Sequence, residues 1–148
     1  MDKVITIGRQ YGSGGREIGQ KIAQYYNIPF YDNELITRAA KESGFAEEGA
    51  CVIVGRCADY VLKEYENVCN VFVQAAMSFR IDRAVNKYHD DEKSVADIII
   101  KNDKRRSNYY NYHVGEKWTN LNNYDLVVRS DLMGIDNTVA CICAYLGR

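Results

Sequence analysis

The 148-residue sequence predicts a single α/β domain, with five β-strands separated by helices that cover the faces of a parallel sheet. Three observations carry that expectation. Short β-branched runs alternate with segments whose apolar residues recur at helical spacing. A glycine-rich turn stands between the first such run and the first helical segment. Hydrophobic residues are 47% and charged residues 26% of the chain, a globular balance that one core can satisfy.

The elements follow in order. Val4-Ile5-Thr6-Ile7 is the first strand, and Ile18, Ile22, Tyr25 and Tyr26 mark one face of a helix over about 14–26. Ile28-Pro29-Phe30-Tyr31 is a short second strand whose proline suits a strand start or a sheet edge. A helix over about 33–43 follows. Cys51-Val52-Ile53-Val54 is a buried third strand, followed by a helix over about 57–66. Cys69 to Val73 is the fourth strand, and Met77, Ile81, Ala84, Val85 and Tyr88 mark the next helix. A long polar-faced helix covers about 92–112. Leu126-Val127-Val128 is the fifth strand, and Ile135, Val139, Ile142, Cys143 and Leu146 give a closing helix.

Charge excludes one broad class of partner. Lys plus Arg is 19 and Asp plus Glu is 20, a net charge of −1, so there is no whole-molecule basic field for duplex DNA. Anion binding must come from local placement of positive charge. No apolar run approaches the ~18 residues of a membrane span, and no charged-then-apolar leader opens the chain. The five cysteines are an odd number, mostly flanked by apolar residues, and read as core thiols in a reducing cytoplasm rather than a disulfide frame. Cys141 and Cys143 are two apart and far in sequence from His89 and His113, which is poor spacing for a metal.

The strongest chemical signal is Gly8-Arg9-Gln10-Tyr11-Gly12-Ser13-Gly14-Gly15-Arg16-Glu17, between the first strand and the first helix. A glycine-rich turn there lets backbone N–H groups converge on an anion, and the helix N-terminus adds the positive end of its dipole. Three glycines in four residues would be a poor way to build a turn alone, because each costs chain entropy. A dinucleotide fingerprint fits badly: Asp32 lies 20 residues beyond Gly12, but Gly12 lies five beyond Ile7 and Glu17 occupies the third glycine position. The longer loop suits a phosphate cradle of the P-loop kind. In the pattern G-x-x-x-x-G-K-[ST], Arg9 falls at the first glycine, Gly15 at the lysine and Arg16 at the hydroxyl. Arg16 is then the nearest replacement for the charge, through bidentate contacts to phosphate oxygens, and Ser13 supplies a hydroxyl.

With four further segments, this loop resembles the cytidylate kinase-like branch of the P-loop nucleoside monophosphate kinases, whose own variant loop also lacks the usual lysine. Pro29-Phe30-Tyr31-Asp32-Asn33-Glu34-Leu35-Ile36 is similar to the start of that family's acceptor-binding region. Val54-Gly55-Arg56-Cys57-Ala58 resembles its Gly-Arg-Asp motif, with cysteine in place of the aspartate. Asn70-Val71-Phe72-Val73 with Arg80 and Arg83 looks like the fourth strand and the arginine-bearing helix after it, and 101–110 resembles the lid. The resemblance spans nearly the whole chain. It implies a three-layer P-loop NTPase-type sandwich in one domain over 1–148, with a helical lid over about 92–118. Family members also carry a helical insert between the second and third strands, whereas only about a dozen residues separate Ala40 from Val52 here. Either that wall of the acceptor site is shortened at about 44–49, or a stretch is missing from the sequence between about Phe45 and Gly49. Glu47-Glu48-Gly49-Ala50, which looks like a helix tail without its body, favours the second reading.

The resemblance implies ATP and Mg²⁺ as cofactors, with the donor phosphates on Gly12, Ser13, Gly14, Gly15, Arg16 and Glu17. It implies an acceptor nucleoside monophosphate, CMP above others, held by Arg56 with Asp32, Arg80 and Arg83. Phosphoryl transfer asks mainly for positioning and charge neutralisation, so arginines and lysines matter more than a nucleophile. Arg16, Arg105 and Arg106 are the expected catalytic cations, and Lys101, Asp103, Lys104, Arg105 and Arg106 the lid set. Lys101 to Lys117 carries five positive and two negative charges. Asp97 with Lys101, and Asp103 with Arg106, have the spacing of ordinary helix-face pairs. Arg80 and Arg83 could instead pair with carboxylates such as Asp82 and Glu64, and Asp32 could cap the helix after it. Tyr109, Tyr110, Tyr112 and Trp118 interleave with the basic run, so single-strand stacking competes with core packing for their use, and core packing is preferred. The competing functions are nucleotide binding without efficient transfer, and single-stranded nucleic acid binding through 101–118. Small-molecule nucleotides are the expected partners, and nothing sets an oligomeric state.

Overall fold

A computed structural model of the chain describes residues 2–32, 49–55 and 57–147. The expected helix over about 33–43, most of the shortened segment and Arg56 lie outside the described residues. The strands are β1 (Val4–Arg9), β2 (Phe30–Tyr31), β3 (Cys51–Val54), β4 (Val68–Gln74) and β5 (Leu126–Arg129). The helices are α1 (Gly15–Tyr26), α2 (Ala58–Val61), α3 (Met77–Asn86), α4 (Val95–Val114), α5 (Ser130–Met133) and α6 (Ile135–Leu146).

The five strands form one parallel sheet in the order β2-β3-β1-β4-β5. Val4 pairs with Cys51 on one side and Val68 on the other, which puts β1 at the centre. Side chains alternate across the pleat, and both faces are covered. Ile5, Ile7, Val52, Val54, Val71 and Val73 pack under α1 and α6 on one face. Val4, Cys51 and Ile53 pack against Ala58 and Leu62 on the other, where Phe72 meets Tyr110 of α4 and Trp118. These are the three layers the sequence implies.

Two helices differ most from expectation. The helix after β3 is a single turn, not the ten residues that 57–66 suggested. Its buried contacts end with Leu62, and the chain turns back through exposed Lys63 and Glu64 so that Asn67 O accepts the Val4 N–H at 2.9 Å. The long helix begins at Val95 rather than near 92, after a turn in which Ser94 N–H bonds Asp91 O. The cysteines also divide. Cys51, Cys57 and Cys69 are buried, as expected of core thiols, whereas Cys141 is exposed because it falls on the outer side of α6. No described helix is long and apolar enough to cross a membrane.

Candidate nucleotide site

An open α/β sheet binds ligands at the carboxyl ends of its strands, where successive connections leave in opposite directions. Here β1 is flanked by β3 and β4, so the crevice opens over the segment that follows Arg9. That segment is the glycine-rich loop. Gly12 (φ +81°) and Gly14 (φ +85°) both adopt left-handed backbone, and Gly14 caps α1, its carbonyl accepting from Ile18 N–H at 2.9 Å. A Cβ on Gly12 would lie 2.7 Å from the Arg80 carbonyl oxygen, and one on Gly14 would collide with Ile135. The loop is braced from within. Ser13 Oγ donates to Gln10 O at 2.7 Å, Ser130 Oγ donates to Ser13 O at 2.5 Å, and Ala75 N–H donates to Gln10 Oε1 at 3.0 Å. Ser13 is fully buried, so its hydroxyl belongs to the loop's own frame.

The expected cations settle in distinct places. Arg16 is half-exposed, stacks 5.7 Å from the Phe30 ring and pairs with Asp32, which joins the two residues expected on donor and acceptor sides. Arg80 is 7% exposed and pairs with Asp103 at 2.6 Å, while its Nε donates to Ala75 O. Arg83 reaches Glu17 at 2.5 Å and lies against Gly14, so it faces the loop. Their partners are thus Asp103 and Glu17 rather than Asp82 and Glu64. Asp103 likewise turns away from the helix-face pairing that its spacing to Arg106 suggested. Its two oxygens hold Arg80 and the Tyr11 N–H (2.7 Å), because α4 crosses directly above the loop. Arg106 donates to Arg9 O at 3.1 Å and sits 5.7 Å from the Tyr11 ring. Lys101, Lys104 and Arg105 lie toward solvent on the same helix.

Two hollows meet at this point. One, about 240 Å³, lies over the loop and is lined by Gly12, Gly14, Gly15, Arg16 and Tyr88 among others. The second, about 210 Å³, is lined by Gly8, Gly55, Asp59, Arg105, Tyr110 and Trp118 among others. Arg9 and Arg106 line both. Cys57, which follows Arg56 in a left-handed conformation (φ 61°), lies in the wall of the second.

The rings of the basic segment are mostly structural. Tyr110 and Trp118 are buried with Phe72 and Tyr124, and Tyr112 alone projects, 84% exposed. Tyr110 Oη donates to Asp59 at 2.7 Å; burial, then that bond, pushes its phenol far above the ordinary range. Burial also raises the Asp59 carboxyl, against the lowering effect of the Tyr110 hydrogen bond. Tyr11, bonded to Asp90 at 2.7 Å, is raised to about 12 by burial first and then by that bond, so it stays a protonated donor. Two charged lining residues were not among the sequence candidates. Asp59 carries no motif signal, whereas Arg9 does: it stands where the P-loop pattern wants glycine.

A braced glycine loop at the head of α1, beneath a sheet of this order, defines the P-loop kinase fold. Solved structures share it: shikimate kinase from Bacteroides thetaiotaomicron superposes with a TM-score of 0.59 over 100% of both chains at 15% identity. The Aquifex aeolicus shikimate kinase gives 0.57 at 16% identity, covering 97% of this chain and 96% of its own. An uncharacterized protein from Eubacterium ventriosum is more similar, with a TM-score of 0.87 at 30% identity over 98% of both chains. The chain belongs to the cytidylate kinase-like family, whose profile matches residues 4–50 and 45–132. Cytidylate kinase of Methanosarcina barkeri is 25% identical over 86% of this chain and 87% of its own length. The Methanopyrus kandleri cytidylate kinase is 23% identical over 97% and 92%. The protein is kinase-like in family and fold.

Proposed function

We propose that the protein is an ATP-dependent phosphotransferase that phosphorylates a nucleoside monophosphate, CMP before others. The observation that carries this reading is the meeting of the two hollows at Arg9 and Arg106, which gives a donor and an acceptor one shared cationic wall. The donor polyphosphate lies on the amides of Gly12 to Glu17, with Arg16 on the rim of that hollow and Arg83 behind the loop. The acceptor takes the second hollow, its phosphate toward Arg105 and, on sequence grounds, Arg56, and its base toward Asp59 and the rings that line it. Arg105 and Arg106 neutralise charge from α4. No general base is needed, because the attacking phosphate oxygen is already anionic near neutral pH.

ATP fits the loop, since side-chain-free backbone and nearby guanidinium groups are what a polyphosphate requires. Mg²⁺ finds no dedicated cage: no three metal-ligating side chains come together among the described residues, and the Ser13 hydroxyl is committed to Gln10. The ion would arrive with ATP, held by phosphate oxygens and water, and it would supply charge neutralisation there. A reducing cytoplasm, where nucleotides and free thiols coexist, is the proposed location.

A coupled ADP-release assay across the common ribo- and deoxyribonucleoside monophosphates tests the reading. Turnover is expected with CMP above the rest, and no turnover above background with any of them defeats it. The displaced lysine and the buried Ser13 favour a second reading, nucleotide binding without efficient transfer. Calorimetric ATP binding in a protein that transfers to nothing would select it. Stacking of a nucleic acid strand has little support, because Tyr110 and Trp118 are buried and Tyr112 alone of the interleaved rings is exposed.

A further inference from the structure

Deepening the phosphoryl-transfer reading, on which it rests, we propose that Arg9 is the phosphate-binding cation in place of the missing P-loop lysine, delivered from the opposite side of the loop. The positions have exchanged occupants. The ordinary pattern has glycine where Arg9 stands and lysine where Gly15 stands. A Cβ built on Gly15 would lie 2.5 Å from Arg9 Cβ, 2.8 Å from its Cγ and 3.5 Å from its Cδ. The volume in which a side chain at position 15 would begin is therefore filled by the stem of Arg9. The two side chains exclude each other, so arginine at 9 requires glycine at 15.

The far end of Arg9 has an equally specific seat. Its Nη1 lies 2.5 Å, and its Cζ 3.4 Å, from a Cβ built on Gly55, whose φ of +83° and missing side chain leave the guanidinium room. The side chain thus runs from the end of β1, past the start of α1, to the end of β3. That path ends between the two hollows, both of which it lines. Arg106 holds the Arg9 carbonyl, fixing the backbone from which the side chain departs. Arg16, the cation expected in this role from the sequence, stays on the rim with Asp32.

In the transfer step the bond from the γ-phosphorus to the bridging oxygen breaks, its electron pair staying on ADP. A bond forms from the same phosphorus to an acceptor phosphate oxygen. Arg9 spans both sides through N–H donors and neither gains nor loses a proton.

The test compares Arg9→Met, Arg16→Ala, Gly15→Lys and the exchange Arg9→Gly/Gly15→Lys, read by calorimetric affinity for Mg²⁺-ATP and by kcat with CMP. Loss of a charge-stabilising donor costs roughly 100-fold in kcat or more, and Arg9→Met is expected to show that loss with at least about tenfold weaker ATP binding. Arg16→Ala is expected to lose less on both readouts. Gly15→Lys alone should fail, and the double exchange should recover most of the activity and ATP affinity, which also answers any folding defect in the single variants. ATP binding by Arg9→Met equal to the parent, or no recovery in a folded double exchange, overturns the proposal. So does a parent protein that does not bind ATP. If the parent binds ATP, transfers to nothing, and loses affinity on Arg9→Met, the transfer reading falls while the role of Arg9 as the loop's cation stands.

Discussion

Gly12 and Gly115 both have positive φ, +81° and +77°, yet they carry different burdens. A Cβ at Gly115 would meet nothing within 4 Å, whereas one at Gly12 faces the Arg80 carbonyl, a backbone atom that cannot swing aside. Gly115→Ala is therefore expected to cost about 1 kcal/mol, the left-handed penalty alone. Gly12→Ala should cost about 2–3 kcal/mol and weaken ATP binding besides, as urea melts and calorimetry on the two variants would show. Equal losses would mean that α3 does not brace the loop. The glycines and Arg106 were legible in the sequence because the loop is local and its chemistry is carried by residue type. The route of Arg9 was not, since it depends on where the Gly15 Cα–Cβ vector points after the loop has closed. The partners of Arg80 and Asp103 were equally hidden, because those residues lie 23 apart and meet only when α3 and α4 pack.

That packing makes α4 a fixed element as well as a charged one. Val95 and Ile99 bury against Ala84, Ile81 and Val85 of α3, and Tyr110 anchors the other end beside Phe72. Between them the Arg80–Asp103 pair, 8% and 20% exposed in its side chains, ties the helix to α3 and to Tyr11 of the loop. Removing one partner leaves a buried charge uncompensated, so Asp103→Ala should cost about 3–5 kcal/mol. The double variant Arg80→Met/Asp103→Leu should regain much of it, and urea titrations of the three proteins check the cycle. Additive losses would show that the pair is solvated. The long basic helix could be read from its period and charge; that it lies docked across the loop could not. A hydrophobic pattern shows which stripe is buried but not against what.

For the whole molecule, the strands and the layers were legible in the β-branched runs and helical spacings, while the sheet order was not, because it is set by pairings far apart in the chain. The thiols test the layering. Burial raises Cys51 and Cys69 to about 11 from an ordinary value of 9.0. Below about pH 9 folded and unfolded chains hold these protons alike. Between about 9 and 11 the unfolded chain ionises first, so stability is expected to fall as pH rises through that window. Alkylation should follow the same division: iodoacetamide at pH 8 labels Cys141 rapidly and Cys51 and Cys69 only after unfolding, as peptide mass mapping would show. Early labelling of Cys51 would place β3 at an open edge.

The central position of β1 also bears on how the chain comes to fold. Its hydrogen-bonding partners begin 47 residues downstream on one side and 64 on the other, at Cys51 and Val68. Until translation has passed both, the central strand of the sheet lacks at least one of its two neighbours. Non-local pairing of this kind slows assembly and leaves sticky intermediates. A nascent chain halted before β4 would therefore be a client for chaperones, and the phosphate loop, which hangs from β1, would take shape only once the middle of the sheet has closed.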